Sequence, residues 1–122
     1  MALTPIYTTR GEHTAFYENG YIFNVIGEWI GFVDVTTATV FAIDGEYVGY
    51  MIRDGRILRK RALEELVERR EPPPRPPRPA LPATVPLPPM FSELSYDTID
   101  IFEEMPERLH TADAGELRPD MD

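Results

Sequence analysis

The chain has 122 residues and a net charge of −9, and it contains no cysteine. This length gives room for one domain, and the lack of thiols excludes disulfides and cysteine chemistry. The acidic balance argues against nucleic acid as a partner, because phosphate binding needs a basic face. Residues 91–122 hold ten carboxylates and two arginines, so the acidity belongs to the C-terminal part.

The first residues and the hydropathy predict a soluble chain. Met1 to Pro5 lack the basic and apolar regions of a secretory leader. No run approaches the roughly 18 apolar residues of a membrane span. We therefore expect a cytoplasmic protein, with peripheral attachment to a membrane as the alternative.

One short phrase recurs across residues 6–58. Its clearest copies are Gly27-Glu28-Trp29-Ile30-Gly31-Phe32 and Gly45-Glu46-Tyr47-Val48-Gly49-Tyr50. A weaker copy contains Gly11-Glu12, and a half copy begins at Ile57-Leu58. The units begin 16 to 18 residues apart, at Ile6, Ile22, Val40 and Ile57. This spacing fits one β-hairpin per repeat and is too short for helix-pair repeats, which need more than about thirty residues.

Glycine dipeptides mark where the chain should turn. The predicted turns are Arg10-Gly11, Asn19-Gly20, Ile26-Gly27, Asp44-Gly45 and Asp54-Gly55. The last strand, Arg56 to Lys60, has no evident returning partner. Gly31 and Gly49 fall in mid-strand, where glycine indicates a curl or a close backbone approach. Repeated curling favours a closed β assembly, which also removes exposed sheet edges.

These residues resemble the four-fold β-flower proteins, a mainly bacterial family. The resemblance is carried by the repeated phrase, by Asp54-Gly55-Arg56-Ile57-Leu58-Arg59-Lys60-Arg61, and by the Pro/Arg run before Phe91-Ser92-Glu93-Leu94-Ser95-Tyr96. It covers residues 5–61 well and the rest loosely. It implies an all-β fold, a shallow closed barrel-like flower of about four β-hairpins, and it carries no established activity. A helical insert and Phe91, where tryptophan is more usual, depart from the pattern.

The remainder predicts four segments. Residues 62–71 show a short apolar face and predict a helix. Ten of the thirteen prolines lie in residues 72–90, which by composition are a polyproline II linker. A ligand for an aromatic-lined groove is the alternative for this Pro/Arg run. Residues 91–105 predict an amphipathic docking segment with a helix capped by Asp97, and a disordered acidic terminus with scattered apolar residues is the alternative. Residues 106–122 predict a disordered acidic tail.

Two groups of candidate binding residues come from the repeat itself. Glu12, Glu28 and Glu46 would ring the pseudo-symmetry axis and could hold a cation or a basic ligand if they point inward; we favour solvated side chains beside turn glycines. Trp29 and Tyr47 belong to the core or form a rim suited to a membrane or a partner groove.

Two further groups lie outside the phrase. Arg56, Arg59 and Lys60 form a basic strand end that could meet an anionic membrane surface, or that balances nearby acids. The docking segment offers apolar side chains to its own barrel or to a partner, and these are Phe91, Leu94, Tyr96, Ile101 and Phe102.

No pattern of catalytic residues is present in the sequence. His13 and His110 lack ligand-spaced partners, and neither a phosphate-binding glycine loop nor a nucleophile elbow occurs. We therefore predict a binding or anchoring module that is not an enzyme and has no cofactor. A protein partner or self-association is expected, and a peripheral membrane or lipid-binding domain is the alternative.

Overall fold

A computed structural model describes residues 3–62 and 67–111. Within these residues, eight antiparallel strands form one sheet in chain order, curled into a half barrel with one short helix. The strands are β1 (Thr4–Tyr7), β2 (His13–Glu18), β3 (Tyr21–Asn24), β4 (Trp29–Asp34), β5 (Thr39–Ala42), β6 (Tyr47–Met51), β7 (Ile57–Lys60) and β8 (Thr98–Asp100). The helix α1 (Ile101–Glu104) and a 3-10 turn (Pro106–Arg108) follow β8.

The predicted turns are confirmed, and four of them have the same geometry. Gly11, Gly27, Gly45 and Gly55 each adopt φ between 89° and 96°. Each amide donates to the carbonyl three residues earlier, as in Gly45 N to Ala42 O at 2.9 Å. This is the three-residue hairpin loop, a type I turn followed by a left-handed residue, which favours glycine at its last position.

The first three hairpins also share a β-bulge three residues after the turn glycine. In the second hairpin Phe23 pairs with Trp29 while Ile22 pairs with Gly31, which leaves Ile30 as the extra residue. The first and third hairpins shift register at the equivalent points. A methyl group at Gly31 would lie 2.6 Å from the Phe41 carbonyl oxygen. The glycine therefore permits the close strand approach that a curled sheet requires.

One face of the sheet carries the aliphatic core. Its buried members include Ile6, Ile22, Val40, Val48 and Ile57, and Ile101 and Leu109 join them from beyond β8. The opposite face carries a line of cross-strand partners, Tyr21, Phe32, Phe41 and Tyr47, which we call the aromatic row. Direct partners lie on the same side of a sheet, so both faces of these strands are apolar.

The C-terminal part completes the sheet. β8 pairs with β7, with Lys60 opposite Thr98 and Leu58 opposite Asp100. The last predicted strand therefore has a partner, which comes from the segment expected to dock. Ile101 is completely buried.

Three expectations for the C-terminal part need correction. The helix predicted over 62–71 lies partly outside the described residues, at 63–66, and its described remainder is not helical. The amide of Arg70 instead donates to Gly45 O at 2.9 Å, and so short a helix is marginal without packing. The helix cap is Asp100 rather than Asp97, because residues 98–100 form a strand.

The acidic tail begins later than predicted. Residues 106–111 are described, with a 3-10 turn and a buried Leu109 that packs in the core. Residues 112–122 lie outside the described part of the chain, so the prediction of disorder there stays a prediction.

We expect Ile101→Ala to lower the free energy of unfolding by about 2–5 kcal/mol, because it removes fully buried methyl groups from a small core. Val35→Ala is the matched control, since that side chain is 69% exposed and its loss should change stability by no more than about 0.5 kcal/mol. Urea denaturation measures both. Equal midpoints would show that the C-terminal segment is not part of the folded unit.

Candidate functional site

Residues 67–92 lie against the edge of the sheet that carries the first three hairpin turns, and we call this segment the belt. It passes the turn glycines in reverse order: Arg70 lies at Gly45, Arg78 and Leu81 at Gly27, and Pro88 at Gly11. The described part of the linker is therefore packed along the sheet rather than extended away from it.

Arg70 anchors one end of the belt. Its Nη1 donates to Asp34 Oδ2 at 2.7 Å, and its guanidinium lies 5.2 Å from the centroid of the Phe41 ring. The hydrogen bond from Arg70 lowers the pKa of Asp34 below its usual value. This one arginine thus combines an ion pair, a cation–π contact and a backbone hydrogen bond to Gly45.

Three further polar contacts fix the middle of the belt. Arg78 donates to the carbonyl of Ile26. The hydroxyl of Tyr7 donates to the carbonyl of Pro86, and that of Tyr21 to Pro74 O at 3.4 Å. Proline has no amide hydrogen to donate, so these two prolines bond to the sheet as acceptors only, and tyrosine hydroxyls are the donors.

A cavity of about 470 Å³ opens where the belt meets the aromatic row. Its lining combines Tyr21 and Phe32 of the row, Asp34 at the end of β4, and Arg70 and Pro73 of the belt. Glu71 of the belt also lines the cavity. Aromatic walls with an acidic group on the sheet, Asp34, suit an extended ligand that carries proline and arginine.

The sequence analysis did not select the residues that hold the belt: Tyr7, Tyr21, Asp34, Arg70 and Arg78. For the Pro/Arg run the sequence analysis favoured a linker and gave binding to an aromatic groove as the alternative, which was the available signal. The residues that contact this run lie on the same chain, which a sequence pattern does not show.

The predicted basic strand end divides into a buried and an exposed part. Arg56 is only 3% exposed, forms an ion pair with Asp54 at 2.8 Å, and donates to Thr9 Oγ1 and Ser92 O at 3.1 Å each. Its guanidinium also lies 4.8 Å from the Phe91 ring. Arg56 therefore joins the end of the belt to the first hairpin instead of facing a membrane.

The remaining basic residues also have partners in the structure. Arg59 donates to Val48 O at 3.2 Å and lies 5.3 Å from the ring of Tyr47. Lys60 pairs with Asp97 at 3.3 Å, and Arg61 lies 3.8 Å from Glu104. The C-terminal acids thus neutralise much of the basic strand end.

The three repeated glutamates follow the three turns along the edge covered by the belt. Glu12 and Glu46 are exposed, while Glu28 is half-buried and accepts a 3.0 Å hydrogen bond from Asn24. Within residues 3–62 and 67–111, no group of three or more His, Cys, Asp or Glu is placed to hold a metal ion.

The two predicted rim aromatics are half-buried. The indole nitrogen of Trp29 donates to Gly31 O at 2.7 Å, and Tyr47 lies edge-on to Phe41. Burial raises the pKa of the Tyr47 hydroxyl. These rings pack against their own sheet.

The docking residues divide by exposure. Ile101 is buried, whereas Phe91, Leu94 and Phe102 are half-buried. Tyr96 is 91% exposed. Two belt residues that the sequence analysis did not select, Leu87 and Met90, are also almost fully exposed.

This exposed apolar segment is held on both sides. Pro86 accepts from Tyr7 before it, Arg56 stacks on Phe91 within it, and Lys60 pairs with Asp97 after it. Leu87, Met90 and Tyr96, which we call the apolar triplet, are therefore presented to solvent by an anchored backbone.

Comparison with protein-family models, curated proteins and solved structures gives no match for this chain. None of the helices in the described residues has the length and apolar character needed to cross a membrane.

Alanine at Gly45 and at Gly55 should have different effects on the belt. Both glycines have nearly the same φ, 90° and 96°, so each substitution carries a backbone cost of about 1–3 kcal/mol. A methyl group at Gly45 would also overlap the carbonyl of Arg70, while one at Gly55 would meet no described atom within 4 Å. Only Gly45→Ala should speed hydrogen exchange at the amide of Arg70, which donates to Gly45 O. Equal exchange in both variants would contradict the packing of the belt.

The Asp97 carboxyl should titrate at a pKa of about 2, chiefly because the Ser95 hydroxyl and then Lys60 hydrogen-bond its charged form. We expect Ser95→Ala to raise this pKa toward the usual value, while Ser92→Ala leaves it unchanged. Carbon-detected NMR titration of the carboxyl measures both. Because the folded-state pKa is depressed, the stabilisation is complete above the usual pKa and is lost as the pH falls through about 2. An unshifted midpoint in the parent chain would contradict the contact.

Proposed function

We propose that the chain is a non-enzymatic protein-interaction module built as a four-fold β-flower, with its C-terminal segment docked on its own sheet. The observation that carries the proposal is the apolar triplet, exposed on an anchored segment. Three large apolar side chains exposed within ten residues of chain exceed the singly scattered apolar residues of an ordinary surface and favour a partner surface. Anchoring reduces the entropy that binding costs, since the backbone is ordered beforehand.

The flower architecture is the finer part of the proposal. Support comes from the four like turns and from hydrogen bonds that connect the two ends of the sheet. Thr9 donates from its amide and its hydroxyl to Asp100 Oδ2, at 2.8 and 2.7 Å. The amide of Arg10 donates to Glu103 at 2.9 Å. These contacts bring the first hairpin to the last strand, as closure of a four-petalled ring requires.

The partner of the apolar triplet is proposed to be a protein, either a second copy or another chain. The membrane alternative has less support, because its residues are engaged elsewhere: Arg56 is buried, and Trp29 is hydrogen-bonded to its own strand. A cytoplasmic location remains part of the proposal.

Native mass spectrometry of the chain purified from its host tests this proposal. The parent chain is compared with a triple variant that carries Leu87→Ser, Met90→Ser and Tyr96→Ser. We expect the parent chain to retain a second copy or a protein partner and the triple variant to lose it. Val35→Ser is the matched control, since Val35 is also exposed, at 69%, but lies on the β4–β5 loop. A monomer without partner for the parent, or identical complexes for parent and triple variant, would overturn the proposal.

Flotation with vesicles separates the two functions. If the parent chain floats with anionic vesicles and the triple variant does not, the apolar triplet binds membranes and the protein-partner proposal is wrong. No flotation agrees with a protein partner.

A further inference from the structure

The belt and the aromatic row together have the features of a peptide complex. The row supplies aromatic walls, Asp34 supplies a carboxylate, and the Tyr7 and Tyr21 hydroxyls supply donors to proline carbonyls. The belt supplies two arginines eight residues apart, Arg70 and Arg78, with a proline run between them. Recognition of extended proline-rich peptides uses the same combination of aromatic grooves, donors to carbonyls and an acid for arginine.

The belt is held by side chains and only slightly by backbone pairing. Across residues 3–62 and 67–111, a single backbone–backbone hydrogen bond joins the belt to the sheet, from Arg70 to Gly45. Most belt residues are exposed, including Arg70 and Arg78. A segment attached at a few points on a surface can be released without breaking a strand ladder or exposing the aliphatic core.

We propose that this edge of the sheet is a binding site for arginine- and proline-rich extended peptides, which the belt occupies in cis and which a segment of another protein molecule can occupy in its place. The ligand would present an arginine to Asp34 and Phe41, proline carbonyls to Tyr21 and Tyr7, and a second arginine to the Ile26 carbonyl. The adjoining cavity of about 470 Å³ leaves room at the aromatic row for larger side chains than Pro73.

Competition from the belt should weaken binding in trans. A tethered ligand acts at an effective concentration in the millimolar range, so an untethered peptide must compete with it. Asp34 loses its ion-pair partner, Arg70, whenever the belt leaves. A ligand that brings its own arginine restores that ion pair. The site therefore selects ligands that bring an arginine of their own.

The test uses the full-length chain and a fluorescein-labelled synthetic peptide with the sequence of residues 67–90. The double variant Arg70→Ala, Arg78→Ala weakens the belt in cis and leaves the sheet site intact. We expect it to bind the peptide at least about tenfold more tightly than the parent chain, by fluorescence polarisation. Adding Asp34→Ala to the double variant should abolish that gain. Arg75→Ala is the matched control, because this exposed arginine has no recorded partner among the described residues, and its affinity should equal that of the parent.

Three results would overturn the inference. The folded double variant, checked by circular dichroism, could bind no better than the parent. A peptide with both arginines replaced by alanine could bind as well as the original. Should the double variant fail to fold, the parent chain is titrated with millimolar peptide, and unchanged NMR signals of Tyr21 and Asp34 would count equally against the site. The apolar triplet is intact in all of these variants, so failure here is distinguishable from failure of the proposed function.

Discussion

The sheet depends on one buried carboxylate that connects its two ends. Asp100 is 1% exposed; its Oδ2 accepts from the amide and hydroxyl of Thr9, while its Oδ1 accepts from the amide of Phe102 at 3.1 Å. Burial raises the pKa of Asp100 despite these hydrogen bonds. The charge is therefore costly, and it is tolerated because three donors satisfy it. The same side chain caps α1, so the contact between the first hairpin and β8 and the start of the helix rely on one group.

The belt is a second connection between distant parts of the sheet, and its polar contacts are exposed rather than buried. Asp100 works in a buried site with fixed donors, whereas Arg70 and Arg78 work at an exposed edge where each contact is weak on its own. The buried contacts of Asp100 are thus the more firmly held of the two connections, and the exposed contacts of the belt are the ones that we propose to be exchangeable. Another protein molecule could therefore take the place of the belt while the contacts of Asp100 stay in place.

The turns of this fold could be predicted from residues adjacent in sequence, whereas contacts between residues far apart in sequence could not. Asp44-Gly45 and Asn19-Gly20 specify their turns from side-chain and backbone preferences alone, and both were predicted. β8 was missed because three residues carry no periodic signal and their partner strand lies about 40 residues upstream. The composition of the Pro/Arg run indicated that it could bind an aromatic groove. It did not indicate which residues contact the run, since Tyr21 and Asp34 look like ordinary strand residues.

The broken copy of the repeat shows where the fold departs from symmetry. Among the four turns of like geometry, glutamate follows the glycine at Gly11, Gly27 and Gly45, and these are the glycines that the belt passes. At the fourth turn arginine follows instead, and Arg56 is buried between the first hairpin and Phe91. A solvated glutamate suits a turn at an open edge, while an arginine with several acceptors suits a junction where three segments meet. The change of residue at an otherwise similar turn therefore marks the position where the first hairpin and the end of the belt meet.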